Sequence, residues 1–169
     1  MPKIEFFRLV TSATPREILE ADFPSLRGGL PIQGGWGYTL DGACIIDRDD
    51  PTVDPQMPFD GVGIEYLFAE YRLYEELIVF REPGHKYAGI SHKLQRQSSE
   101  SSEDGRRFDH LIFDVEALRE EDFEELKAEW DGPDGHESFD LEAHLHKRAQ
   151  RICTGETEYW FDITSFFGR

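Results

Sequence analysis

Two histidines two residues apart, His144 and His146, form the pair in this sequence that most resembles a set of metal ligands. On a β-strand, residues i and i+2 share a face, so the two imidazoles could hold one metal ion. The apolar residues from Leu141 to Ile152 recur every three or four positions, however, which predicts a helix. On a helix the two rings point about 200° apart, at about 100° per residue. We therefore predict no metal site and no cofactor.

The aspartate-rich segment 47–61, DRDDPTVDPQMPFDG, is a second candidate for metal binding. A calcium-binding EF-hand loop places Asp at positions 1, 3 and 5, Gly at position 6 and Glu at position 12. Counted from Asp47, positions 5, 6 and 12 are Pro51, Thr52 and Pro58. The spacing fails, and the three prolines predict an irregular, solvated loop.

The glycine-rich segment 28–42, GGLPIQGGWGYTLDG, holds six of the fifteen glycines. A dinucleotide-binding turn needs G-x-G-x-x-G; Gly35 and Gly37 supply the first two glycines, but Leu40 stands in the third position. A phosphate-binding P-loop needs Gly-Lys-Ser/Thr, which does not occur. We interpret these glycines as serving backbone shape, through positive φ angles and close approach of neighbouring strands.

Trp36 and Tyr38 lie within this segment and share one side of the chain if it is extended. Packing of Trp36 at the edge of the core is the favoured interpretation. The alternative is a small-ligand or catalytic site near the glycine-rich segment and the histidines, in which Trp36 and Tyr38 bind the ligand.

No sequence motif combines a nucleophile with a base. Ser91 in GISHK lacks the second glycine of G-x-S-x-G. Cys44 lies in an apolar run that is typical of a buried residue. Glu75 and Glu76 are adjacent and therefore point to different faces of a helix or a strand. Whether the protein is an enzyme is undecided, because active sites also assemble from distant residues.

The charge of the chain favours binding to a basic protein. The formal net charge is −17, which repels nucleic acid and anionic membranes. Residues 114–142 alone hold thirteen acidic and two basic residues. Apolar spacing predicts a helix over 118–130, and its like charges four residues apart cost about 0.2–0.5 kcal/mol a pair. A surface that bears this cost in helix stability can serve to keep the protein soluble or to bind a partner protein. The candidate partner-binding residues are Glu121, Glu124, Glu125 and Glu129.

Cysteine content and apolar runs bear on the cellular location. The two cysteines, Cys44 and Cys153, are far apart and form no metal-binding pattern. The start, MPKIEFFRLV, lacks the apolar core of a signal peptide, and no apolar run reaches the roughly 18–20 residues of a membrane span. These features predict a cytoplasmic protein with no membrane partner, and leave the oligomeric state undecided.

Pattern and capping signals predict the remaining elements. Thr14, Pro15 and Glu17 predict a helix start with a capping box. Residues 62–76 fit a helical face but are rich in strand-forming residues, so they are left open. A second C-terminal helix is predicted to be capped by Ser138 or Asp140 and to end before Gly155. The predicted strands are 3–10, 43–46, 77–82, a hairpin of 86–97 and 106–118 with a long mobile tip, and 158–167, and the predicted later helices are 118–130 and 139–152.

Together these signals predict a single α+β domain over residues 1–169, with a mainly antiparallel sheet packed against a single layer of two to three helices. The predicted function is protein binding by a small acidic intracellular protein. A concrete version is an immunity-type inhibitor that masks a basic partner such as a nuclease. A structural or accessory protein without a ligand is the remaining alternative.

Overall fold

A computed structural model describes residues 2–9, 11–132 and 139–169. Within these residues five strands form one mixed sheet, accompanied by four α-helices, which confirms the predicted α+β class. The strands are β1 (Ile32–Gly34), β2 (Cys44–Ile46), β3 (Tyr87–Ser101), β4 (Arg107–Arg119) and β5 (Cys153–Asp162). The helices are α1 (Pro15–Asp22), α2 (Gly61–Tyr74), α3 (Glu120–Trp130) and α4 (Leu141–Arg151).

The strand order is β1-β2-β5-β4-β3, and only the β2–β5 pairing is parallel. Strands β3 and β4 form the predicted hairpin, with register shifts between Ala88 and Ser91 and between Leu94 and Arg96. Pairing continues to Ser101 opposite Arg107, so the turn is shorter than the tip expected from the polar sequence. The serine-rich end of β3 pairs with β4 although serine has no strong preference for strands, because strand formation depends on the neighbouring strand as well as on the residue type.

Helices α1 and α2 pack on the sheet and form the main core. The predicted capping box of α1 is confirmed: Thr14 Oγ1 accepts from the Glu17 amide, and the Glu17 carboxylate accepts from the Thr14 amide. Leu19 of α1 and Phe68 of α2 are fully buried in one cluster with residues of the central strands. Phe68 meets Tyr159 and Phe161 of β5 edge to face.

The segment left open by the sequence, 62–76, is helical, and the strand predicted over 77–82 is wrong. After α2 the chain continues as one wider, π-helical turn over Glu75–Val79. Leu77 is fully buried there, so the apolar run LIVF reflects a buried helical turn. A short apolar run does not by itself distinguish a buried strand from a buried helix segment.

The strand predicted over 3–10 is also wrong: residues 3–9 form a single isolated bridge, from Lys3 to Thr154 of β5, and Val10 lies outside the described residues. The outer edge of β5 is shared: the N-terminal segment bonds at Thr154, while β2 pairs near Phe161. The predicted strand 158–167 is displaced, because β5 starts at Cys153 and ends at Asp162, so that Gly155 lies inside it.

The acidic helix α3 and the following α4 form at nearly the predicted positions. Asp140 caps α4 by accepting from the Ala143 amide, whereas Ser138, the alternative cap, lies outside the described residues. A small second cluster joins Leu126 of α3 to Leu118 and Ile152. Among the described residues, no helix is both long and apolar enough to cross a membrane.

Candidate functional site

The four candidate glutamates of α3 fall into two rows with different surroundings. The inner row faces α4: Lys147 Nζ lies 3.0 Å from Glu125 Oε1 and also contacts Glu129, and Arg151 contacts Glu125. His144 Nδ1 lies 3.1 Å from Glu129 Oε2. Hydrogen bonds from Arg151 and Lys147 lower the pKa of Glu125, and hydrogen bonds from Lys147 and His144 lower the pKa of Glu129. Two of the four candidate residues are thus already neutralised within the chain.

The outer row consists of Glu121 and Glu124, whose side chains are exposed. Within the part of the chain that the structure describes, neither carboxylate forms an ion pair. At about 100° per residue, Glu124 lies about 160° around the axis from the buried Leu126. Among the described residues, the outward face of α3 therefore presents two carboxylates that are not engaged in ion pairs.

Exposed apolar side chains lie on the same pair of helices. Trp130 at the end of α3 is 48% exposed, and Leu141 and Leu145 of α4 are 50% and 53% exposed. Trp130 also contacts the rings of Phe139 and His144 across the two helices. The α3–α4 pair therefore combines acidic and apolar groups at its surface, a composition suited to protein contact.

The glycine-rich segment adopts the conformations that only glycine supports. Gly34 and Gly37 have φ of 80° and 82°. A Cβ on Gly35 would lie 2.2 Å from the carbonyl oxygen of Gly42 across a tight turn. The Gly37 amide donates to the same oxygen at 2.8 Å. These contacts confirm the interpretation that the glycines serve backbone shape.

Trp36 and Tyr38 both contact Arg72, a fully buried residue of α2. The Arg72 guanidinium carbon lies 4.4 Å from the centroid of the Trp36 ring, a cation–π contact. Arg72 donates to the Tyr38 hydroxyl and, at 2.5 Å, to Glu75 Oε1. Trp36 is only 8% exposed, in agreement with its predicted packing role.

Glu76 completes this buried network. Its carboxylate accepts from the Tyr38 hydroxyl at 2.9 Å and from the Tyr159 hydroxyl at 3.1 Å. The π-helical turn allows both Glu75 and Glu76 to be fully buried near Arg72 although they are adjacent in sequence. Sequence spacing did not identify this buried pair, because burial of both carboxylates depends on residues distant in the chain, Tyr38 and Tyr159.

Burial shifts the ionisation of these groups. It raises the pKa of Glu75 to about 8, an effect increased by Asp22 and opposed by Arg72. It also raises the pKa of Glu76, again against the influence of Arg72. Burial alone would lower the pKa of Arg72, but Tyr38, Glu75 and Glu76 raise it above its ordinary value. The guanidinium therefore stays charged, and the network ties the glycine-rich segment to α2.

Variants of the glycine-rich segment test this structural role. We expect Trp36→Ala to lower the free energy of unfolding by about 3 kcal/mol, because a nearly buried ring is removed. Gly35→Val should cost about 1–3 kcal/mol, since its side chain would overlap backbone atoms. Gly37→Val should also destabilise, because a β-branched residue tolerates positive φ poorly. Thermal and urea unfolding measure all three; melting like the wild type would contradict the structural role.

A cleft of about 730 Å³ opens elsewhere, between α2 and the aspartate-rich loop. This size falls within the range of small-ligand pockets, about 300–1,000 Å³. The glycine-rich segment borders it at Gly29 and Pro31, but neither Trp36 nor Tyr38, nor any described histidine, lines it. The structure thus does not bring the predicted ligand-binding residues into this cavity.

The described histidines are dispersed. His144 is buried against α3, His146 is exposed on α4, and the His110 ring stacks on Trp160 at 3.7 Å between centroids. In residues 2–9, 11–132 and 139–169, no three His, Cys, Asp or Glu side chains are grouped as metal ligands would be. The expected absence of a metal and a cofactor stays a prediction.

Comparison with known proteins identifies no relative: no protein-family model, curated protein or solved structure gives a significant match.

Proposed function

We propose that this protein acts by binding a basic protein through the outward face of α3. The observation that carries the proposal is the pair of exposed carboxylates, Glu121 and Glu124, which form no ion pair with the described residues. Lys147 and Arg151 of α4 contact the inner row and form no ion pair with the outer row. Glu125 and Glu129 form the inner edge of the proposed surface.

The charge distribution supports this assignment. Residues 114–142 contribute thirteen of the 35 acidic residues but only two of the 18 basic ones. Charge of one sign concentrated in one region steers a partner of opposite charge and accelerates association. It also disfavours nucleic acid and anionic membranes as partners.

The exposed apolar residues of the helix pair give the surface a means of stable contact. Tryptophan is enriched among residues that dominate binding energy, and Trp130, which contacts His144 of α4, is half-exposed at the end of α3. Charged residues mainly set the rate and specificity of association, whereas a buried apolar anchor sets the lifetime. Both kinds of residue occur on α3.

A concrete form of the proposal is an immunity-type inhibitor. A nuclease carries a basic surface that binds phosphates, and a helix with outward carboxylates can occupy that surface by offering the same charge. Such a protein needs no catalytic group and no cofactor of its own.

Capture of the partner tests the proposal. Immobilised wild-type protein should retain a basic protein from native lysate of the source cells, and Glu121→Gln with Glu124→Gln should lose it. The matched control, Glu100→Gln with Glu103→Gln, removes two exposed charges from the β3–β4 hairpin and should retain it. Equal capture by both double variants, or no basic protein captured by the wild type, would contradict the proposal.

A further inference from the structure

The cleft between α2 and the loop that precedes it is distinct from the acidic face of α3. The loop residues Arg48–Asp60 form its outer wall, and α2 contributes Gly63, Ile64 and Leu67 to the inner wall. Gly29 and Pro31 close one side. Three separate parts of the chain therefore converge on one cavity of about 730 Å³.

The cavity has a substantial apolar lining. Ile64 and Leu67 lie on the helix side, while Val53, Met57 and Phe59 come from the loop. Met57 is 50% exposed at the cavity and so offers an accessible apolar surface to a ligand. A lining of this kind favours a ligand with an aromatic or aliphatic body.

The polar groups of the cavity are predominantly acidic. Asp49, Asp50, Asp54 and Asp60 lie in its lining against a single cation, Arg48. Asp50 is already engaged, because Arg16 Nη1 donates to it at 3.1 Å and Thr52 Oγ1 at 2.6 Å. The Asp49 carboxylate is exposed, and no hydrogen bond to it is formed by the described residues.

Arg48 does not cancel this charge. Its guanidinium carbon lies 5.9 Å from the centroid of the Phe59 ring, at the margin of a cation–π contact, and among the described residues it forms no ion pair with the aspartates. The cavity therefore keeps a net negative charge beside an apolar lining.

The geometry points to this cleft as a binding site for a small organic cation, an amine or guanidine attached to an aromatic or aliphatic body. The apolar walls would cover the body, and Asp49 and Asp54 at the rim would contact the cationic group. An anion of the same shape would meet like charge and be excluded. The proposal does not depend on the acidic face of α3.

Two probes with the same ring and opposite charge test the site. Tryptamine carries an ammonium group on an indole, and indole-3-propionate carries a carboxylate on the same indole. Titration followed by amide NMR should show saturable binding of tryptamine at millimolar concentration, with shifts at Asp49, Gly63, Ile64 and Leu67. Indole-3-propionate should bind at least about fivefold more weakly, because it lacks the ammonium group that would contact the exposed carboxylates of Asp49 and Asp54.

Variants assign the binding to the cleft. Asp49→Asn with Asp54→Asn should weaken tryptamine binding about fivefold. Asn at 54 can still accept from the Gln56 amide, which the Asp54 carboxylate does at 2.9 Å. Met57→Ser should also weaken binding, by removing an exposed apolar wall. Glu103→Gln, an exposed charge removed outside the cleft, should bind like the wild type, and melting curves should confirm that all variants are folded.

Any one of three results would overturn the proposal. The first is the absence of saturable tryptamine binding, and the second is equal affinity for the two probes. The third is wild-type affinity for tryptamine in either the double aspartate variant or Met57→Ser.

Discussion

Replacing Arg72 with methionine should lower the free energy of unfolding by about 3–5 kcal/mol, the usual cost of removing one partner of a buried charged pair. The fully buried guanidinium donates to Glu75 and Tyr38 and lies beside Glu76. Without it, two buried carboxyl groups lose their positive neighbour. Urea denaturation at neutral pH measures the effect.

Two controls separate the loss of the charge network from the loss of a side chain. Arg96→Met makes the same change at an exposed position of β3 and should change stability little. Adding Glu75→Gln and Glu76→Gln to Arg72→Met should recover part of the lost stability, because neutral amides then replace two buried carboxyl groups that have lost their positive neighbour. A loss below about 1 kcal/mol for Arg72→Met would contradict the role assigned to the network.

The second large effect concerns pH and Glu65. This residue of α2 is fully buried, and its carboxyl group interacts with Asp109. Burial, together with the charge of Asp109 and a hydrogen bond to it, raises the pKa of Glu65 to about 9. Glu65 is therefore protonated in the folded protein at neutral pH, where the unfolded chain releases the proton.

Because the folded state holds more protons, stability should fall as the pH rises from the ordinary glutamate value of 4.5 to about 9. Below that pH window Glu65 makes its full contribution to the free energy of unfolding, and above the window its titration lowers that free energy no further. Each pH unit within the window is worth about 1.4 kcal/mol. Between pH 5.5 and 8.5 this group contributes a loss of up to about 4 kcal/mol.

Glu65→Gln removes the titrating group and should flatten the pH profile by a similar amount. The exposed Glu82→Gln is the matched control and should keep the wild-type slope. Unfolding in urea at pH 5.5, 7 and 8.5 compares the three proteins. Parallel profiles for wild type and Glu65→Gln would show that Glu65 titrates normally.

The elements that the sequence predicts well are those encoded by local signals. The capping box at Thr14 and Glu17 needs only residues within one helical turn, and it forms as expected. The hairpin of β3 and β4 follows from two extended segments joined by a turn at Gly105, which has φ of 85°. The α+β class follows from the order of such elements along the chain.

The errors occur where tertiary contacts override local preference. The run LIVF has strand-forming residues, but burial of Leu77 and the contacts of Glu75 and Glu76 with Arg72 place it in a helical turn. Similarly, the alternating segment 3–10 meets an edge of β5 that β2 already occupies in part. Neither effect can be predicted from a local sequence pattern, because both depend on contacts with residues distant in the chain.

The candidate sites show the same division. Charge clustering identifies the acidic helix, yet the separation into a neutralised inner row and a free outer row requires the position of α4. The Arg72 network joins Tyr38 to residues 34 positions or more along the chain, so no motif encodes it. Apolar Met57 and Phe59 within the aspartate-rich loop were the one available signal of the cleft.

The salt dependence of association tests the central claim most directly. The association rate constant of the wild-type protein with its captured basic partner should fall steeply as ionic strength rises toward 0.5 M, because screening shortens the range of steering. Glu121→Gln with Glu124→Gln should associate about tenfold more slowly at low salt and depend less on salt, with unchanged thermal stability. The Glu100→Gln, Glu103→Gln control should follow the wild type. An association rate that is the same for all three proteins at every salt concentration would contradict binding through the outward face of α3.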